Sequence, residues 1–110
     1  MRTGKLRHRI TLQRPGLSQD PQTGEMVPGW KDVAKVWASI EPLSAREFIA
    51  AQAGQSEVSA RVVIRHRDDV DATMRALYRG KLYNIHGVLA DPKSGLEYLT
   101  LPVSEGARDG

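Results

Sequence analysis

Apolar and polar residues alternate with a period of two through most of this chain. Leu6, His8, Ile10 and Leu12 stand against Arg7, Arg9, Thr11 and Gln13, the pattern of a half-buried strand with a wet, basic outer face. Between residues 15 and 31 the alternation lapses. Pro15, Gly16, Pro21, Gly24, Pro28 and Gly29 predict a long loop or an irregular hairpin there, and connections of that length inside a small domain usually have a function. Alternation resumes with Ala34, Val36, Ala38 and Ile40 on one side and Lys35, Trp37 and Ser39 on the other, until Pro42 ends it. The strongest strand runs from Ser56 to Arg67, with Val58, Ala60, Val62 and Ile64 inward and Glu57, Ser59, Arg61, Val63, Arg65 and Arg67 outward. Asp68, Asp69 and Asp71 predict a turn, Met74 to Arg79 a short strand, Gly80 a tight hairpin, and Lys81 to Ala90 a further strand. Apolar parity in that last stretch changes from Tyr83 and Ile85 to Val88 and Ala90 across Gly87, which predicts a β-bulge. Asp91 to Gly95 reads as a turn, Leu96 to Val103 as the final strand, and residues 104–110 as a frayed tail.

The connection 42–55 follows a different rule. Ser44 can accept from the backbone N–H of Glu47 while the Glu47 carboxylate reaches back to the N–H of Ser44, and Leu43 can staple onto Phe48, so a helix starts here. Gly54 predicts a left-handed stop, which leaves a helix of about ten residues, too short to stand without packing. Its apolar stripe, Ala45, Phe48, Ile49, Gln52 and Ala53, therefore requires a partner surface. Ser44, Phe48, Ile49 and Gln52 are candidates for an oligomer or partner interface, or else Phe48 and Ile49 seal one end of the sheet.

Together these elements predict a mainly β fold in a single domain spanning residues 1–110. About six strands form a small antiparallel β-barrel, with one short helix between the second and third, and closing the sheet removes edges that would otherwise be exposed. Composition agrees: 40% hydrophobic and 26% charged residues are globular, and 5% aromatics imply an aliphatic core. Cysteine is absent, which excludes disulfides and thiolate metal sites. No stretch is apolar enough for a membrane helix or a secretory signal, so a soluble intracellular protein is expected. Charge is uneven. Residues 1–14 carry Arg2, Lys5, Arg7, Arg9 and Arg14 and no acid, so a net +3 divides into +5 here and −2 elsewhere.

Candidate chemistry is sparse. His8, His66 and His86 lack metal-ligand spacing, the Asp68, Asp69, Asp71 cluster suits a capped turn better than paired catalytic carboxylates, and no calcium loop or phosphate cradle occurs. Ser44 has a capping role and no adjacent base. No enzyme, metal or cofactor is expected. What remains is surface: Arg61, Arg65 and Arg67 from the strongest strand, with Arg7 and Arg9 from the first, make a basic field if those strands are neighbours, and these five are candidates to face DNA. Outward aromatics that could stack bases are few, Trp37 and at most Tyr83 or Tyr98.

The ordered set of segments resembles a known family. Gly4-Lys5-Leu6-Arg7-His8-Arg9-Ile10-Thr11-Leu12-Gln13, the Gly/Pro-rich stretch into Trp30, and Val33 to Glu47 are similar to the head-tail adaptor, or head-closure, proteins of tailed bacteriophages and prophages. So are Ser56-Glu57-Val58, Val62 to Arg67, and Met74-Arg75 before the Tyr78 to Tyr83 hairpin, and the likeness spans nearly all of residues 4–101. It implies a small β-barrel that forms a ring beneath the portal, meets a tail or tail-completion protein, and lines or closes a channel for double-stranded DNA. It also implies a place in the virion at the head-tail interface and in the host cytoplasm during assembly, with no membrane partner. A stand-alone basic β-barrel that binds nucleic acid is the alternative.

Overall fold

Two strands, each far longer than the alternation predicts, dominate the fold. A computed structural model describes residues 6–90, 95 and 97–106. In it β1 (His8–Gln19) and β2 (Met26–Pro42) form one antiparallel hairpin, followed by α1 (Ala45–Ala53) and β3 (Ala60–Arg65). Then come β4 (Arg75–Tyr78), β5 (Lys81–Ile85), the two-residue β6 (Leu89–Ala90) and β7 (Tyr98–Glu105). All pairings are antiparallel. The order β3-β2-β1-β4-β5-β7, with β7 pairing back to β3, closes six strands into a ring of hydrogen bonds, and β6 attaches to β7 beside it. This is the mainly β, closed antiparallel sheet that the sequence predicts.

Its interior follows the alternation. Ile10, Leu12, Ala38, Val62, Ile64, Ala76, Ile85, Leu101 and Val103 lie essentially out of water, with Met74, Tyr83 and Leu99 beside them. Among the described residues every buried side-chain nitrogen or oxygen has a hydrogen-bond partner. Burial raises the Tyr83 hydroxyl above its ordinary range. The hairpin between β4 and β5 turns through Arg79 and Gly80, both at positive φ, as a two-residue turn of this twist demands.

Several expectations are corrected or sharpened. Of the two readings of residues 15–31, the irregular hairpin holds, as a paired ribbon, and the long loop does not: Pro15 faces Trp30, Leu17 faces Pro28, and only residues 20–25 turn. Proline is tolerated because β4 pairs with β1 only at Thr11, Leu12 and Gln13, so beyond Gln13 each strand has a free edge that needs no donor. The ribbon leaves the closed sheet where Val33 is inserted between the Leu12–Ala34 and Gln13–Asp32 pairs. Val63, predicted outward, is only 1% exposed, flanked on that face by Ser39 of β2 and Thr100 of β7, because β3 has a strand on each side. The left-handed residue after α1 is Gln55 (φ 60°), while Gly54 has φ −89°. Ser56 N–H reaches the Ala51 carbonyl and Gln55 N–H the Gln52 carbonyl, a Schellman stop displaced by one residue from the glycine.

The bulge expected at Gly87 is present as one extra residue, and the expected single strand is divided there into β5 and β6. Ile85 pairs with Val103 and Leu89 with Thr100, so three residues face two, and His86 N–H donates to the Pro102 carbonyl within the gap. Finally, the tail predicted from residue 104 starts later. Ser104 is buried against His86 and pairs with Asn84, and Gly106 exchanges hydrogen bonds with Leu82 and Asn84. The turn predicted at residues 91–95 lies largely outside the described residues.

Candidate functional site

The helix forms for the local reasons its sequence gives. Ser44 Oγ accepts from Glu47 N–H at 3.2 Å and Glu47 Oε1 accepts from Ser44 N–H at 2.9 Å, completing the capping box. The second Glu47 oxygen accepts from Arg61 of β3, and Glu41 of β2 lies 3.9 Å from the same guanidinium. Ser39 Oγ donates to Glu41 in turn. The Ser44 N–H, then Arg61, hold the Glu47 carboxyl below its ordinary range. Polar contacts at its first turn thus tether α1 to the sheet. No residue of the helix is buried, and Phe48 and Ile49 are 46% and 67% exposed. Neither side chain is among those packed against the core, and the apolar stripe turns toward solvent.

The five arginines do not form one field. β2 separates β1 from β3, so the two rows are not adjacent. Arg61 is occupied by Glu41 and Glu47. Arg67 forms a bidentate pair with Asp69 at 2.9 and 2.8 Å, which raises the guanidinium's proton affinity and lowers that of the carboxyl. Arg7 is exposed at the start of the chain described. Arg9 lies over the Trp37 ring at 5.1 Å and Arg65 over the Tyr98 ring at 5.7 Å, cation–π distances on the outer face of β1, β2, β3 and β7. Trp37 itself is 51% exposed. His8, on the opposite face from Arg9, hydrogen-bonds through Nδ1 to the Tyr78 hydroxyl at 2.8 Å.

Below this surface the ribbon's base is braced. Gln13 Nε2 donates to Asp32 and Gln13 Oε1 accepts from Arg75, both at 2.8 Å, and the Arg75 guanidinium sits 4.1 Å from the centre of the Trp30 ring. The tip is not braced by the sheet. Leu17 and Met26, within the Pro/Gly-rich stretch, are both more than half exposed there, and no periodicity in that stretch marks them as a surface.

Asp71 caps the turn as expected, accepting from the Thr73 hydroxyl and N–H, which hold its carboxyl below the usual range, while Asp69 is engaged by Arg67. Among the described residues no group of three or more His, Asp or Glu is placed to hold a metal ion, and no helix is long and apolar enough to cross a membrane. The arrangement offers surfaces for binding, with opposite chemistry in different places.

Comparison with known proteins gives the same picture at the level of family. Residues 1–106 match the family model described as phage head completion protein. The chain is 32% identical over 81 residues to head completion protein gp16 of Bacillus phage SPP1, covering 74% of this chain and 72% of that one. It is 29% identical over 92 residues to head completion protein gp7 of Enterobacteria phage HK97, covering 79% and 81%. The solution structure of protein SF1141 from Shigella flexneri 2a superposes with a TM-score of 0.72 at 33% identity, over 99% of this chain and all of that one. A chain from the virion of a native gene transfer agent particle shares the fold, with a TM-score of 0.58 at 15% identity over 94% and 97% of the two chains.

Proposed function

The chain belongs to the phage head completion protein family, and on that premise we propose that it is a structural subunit of the junction between head and tail of a tailed phage or prophage. Copies assemble as a ring beneath the portal, a tail or tail-completion protein binds the far side, and double-stranded DNA passes through the middle. The observation that carries this reading is the division of labour in the fold. The closed sheet satisfies its own edges, while the two elements outside it, α1 and the β1–β2 ribbon, turn apolar side chains to water. Phe48, Ile49 and Gln52, presented by the Ser44-capped helix, meet a neighbouring subunit or the portal. Apolar area left in water at such positions favours association by about 25 cal/mol for each Å² covered.

DNA contact is weak in this reading. A duplex must slide, and each phosphate neutralised adds about 0.9 to the salt slope of binding, so a lumen with many simultaneous grips would arrest it. Arg61 and Arg67 spend their charge on Glu41, Glu47 and Asp69, which suits that requirement. Measuring the mass of complexes formed with the cognate portal tests the ring: a defined stoichiometry is expected, and a mixture that stays unassembled overturns it. Binding of unrelated duplexes at two salt concentrations tests the alternative. Tight binding by the monomer would make the chain a stand-alone nucleic-acid module instead.

A further inference from the structure

The two ends of the β1–β2 hairpin carry opposite chemistry. At the sheet end, pairing sets Arg9 opposite Trp37 and Arg65 opposite Tyr98, and the β2–β3 register, continued one residue past Ala38–Ile64, sets Trp37 opposite Arg65. Four adjacent strands thus present cation, aromatic, cation, aromatic in one row. Trp37 and Arg65 also wall an open groove of about 520 Å³. At the far end, residues 15–30 contain no Lys or Arg and two acids, Asp20 and Glu25, beside the exposed Leu17 and Met26. Asp20 organises this tip: its N–H donates to the Glu25 carbonyl, and its carboxylate accepts from Gln22 N–H.

From Arg9 to Gln19 is ten residues of strand, about 33 Å. The tip therefore cannot reach its own groove while the ribbon stays paired. We infer that the acidic, apolar tip of one copy seats on the Trp37 row of the next. Met26 and Leu17 cover the indole, and the Glu25 carboxylate lies between the Arg9 and Arg65 guanidiniums. Trp, Tyr and Arg are the side chains that most often anchor protein interfaces, and complementary charge fixes the register of docking. Because tip and row are different surfaces at opposite ends of one element, the contact is head-to-tail, the kind that closes into rings when the rotation per copy allows. The inference rests on the ring reading above and specifies its subunit contact.

The absence of cysteine makes the test direct. Chains carrying Glu25→Cys and chains carrying Arg65→Cys are mixed, assembled on the portal and mildly oxidised. Disulfide-linked dimers are expected from the mixture, with a ladder of longer species from a chain that carries both. Portal-bound rings of normal mass that yield no cross-link overturn the inference and leave the ring reading standing, whereas no assembly by the unsubstituted chain overturns both. A charge exchange supplies the second arm, with Asp20 untouched because it holds the turn. Glu25→Arg alone and Arg65→Glu alone should each raise the half-assembly concentration at least tenfold, and the two together should recover part of that loss, Arg9 being left against a like charge; no recovery at all overturns the pairing. If Arg9→Glu and Arg65→Glu leave assembly whole but weaken duplex retention, the row faces DNA and the inference fails.

Discussion

The closed sheet and the elements that project from it are built on opposite terms. Inside the ring of strands, stability comes from side chains removed from water: Val62, Ile64, Leu101 and Val103 are fully buried across neighbouring strands. In α1 and the outer ribbon nothing large is buried, and shape is held by directional polar contacts: the capping box, Arg61 to Glu47, Arg75 over Trp30, and the Asp20 turn. A short helix and a two-stranded ribbon are each marginal alone in water. The lesson is that, among the described residues, four of the six large apolar side chains left in water sit where the chain is most easily reshaped on contact, while the sheet exposes Trp37 on its outer face and Leu89 at β6.

Perturbation should expose that difference most strongly in the sheet. Truncating Ile64 to Ala should cost about 2–5 kcal/mol of global stability in denaturant titration, since it empties a site within a closed interior. A loss below ~0.5 kcal/mol would mean that the projecting elements, not the sheet, hold the fold. Ser44→Ala should cost about 1 kcal/mol, confined to the helix. Hydrogen exchange of residues 46–53 should rise while the denaturation midpoint of the sheet stays; a shift of both together would remove the distinction.

Acid should act on the same line. The folded Glu47 carboxyl titrates below its unfolded value, so the stability it adds is present above the unfolded value of about 4.3 and is lost as pH falls through the folded one. Amide protection in α1 should decline in that window, and so should protection around residues 67–73, where Asp69 and Asp71 are shifted in the same direction. Protection of α1 that is unchanged down to pH 2 would show that the capping carboxylate is dispensable. The smallest effect is expected from Phe48→Ser with Ile49→Ser. Stability should move by less than about 0.5 kcal/mol per site, as at other exposed positions, while assembly on the portal weakens. Global unfolding of this variant would place the pair in the core.

What the sequence made legible follows the range of the forces involved. The helix start was readable because Ser44, Glu47 and the apolar stripe lie within a few residues, and the inward set of β3 because alternation is local. Val63 was not, since its burial depends on strands contributed by residues 39 and 100. For Arg61, cross-strand pairing to Glu41 was readable as the plain alternative to a DNA-facing role, but its contact with Glu47 of the helix, 14 positions away, was not. The ribbon was legible only as one of two alternatives, for another reason. Proline and glycine signal irregular backbone, yet a strand with a free edge accepts both, and only tertiary placement reveals that edge. For the candidate site, the outward direction of Trp37 was readable, but its neighbours Arg9 and Arg65 became one row only through the register.

The closing of the ring by β7 has a kinetic consequence. β1 and β2 are joined by a short turn, as are β4 and β5, and such local hairpins form within microseconds. β3, by contrast, must find a strand 33 to 43 positions further along the chain, and until it does, both it and β5 present unpaired edges. The search for that pairing is the slow, topology-limited step expected of sheets with non-local contacts. During synthesis, residues 98–105 emerge last of the seven strands, so the nascent chain passes through an open sheet prone to mispairing with its siblings. Folding yield should therefore fall with expression rate more steeply than the stability of the finished molecule would suggest.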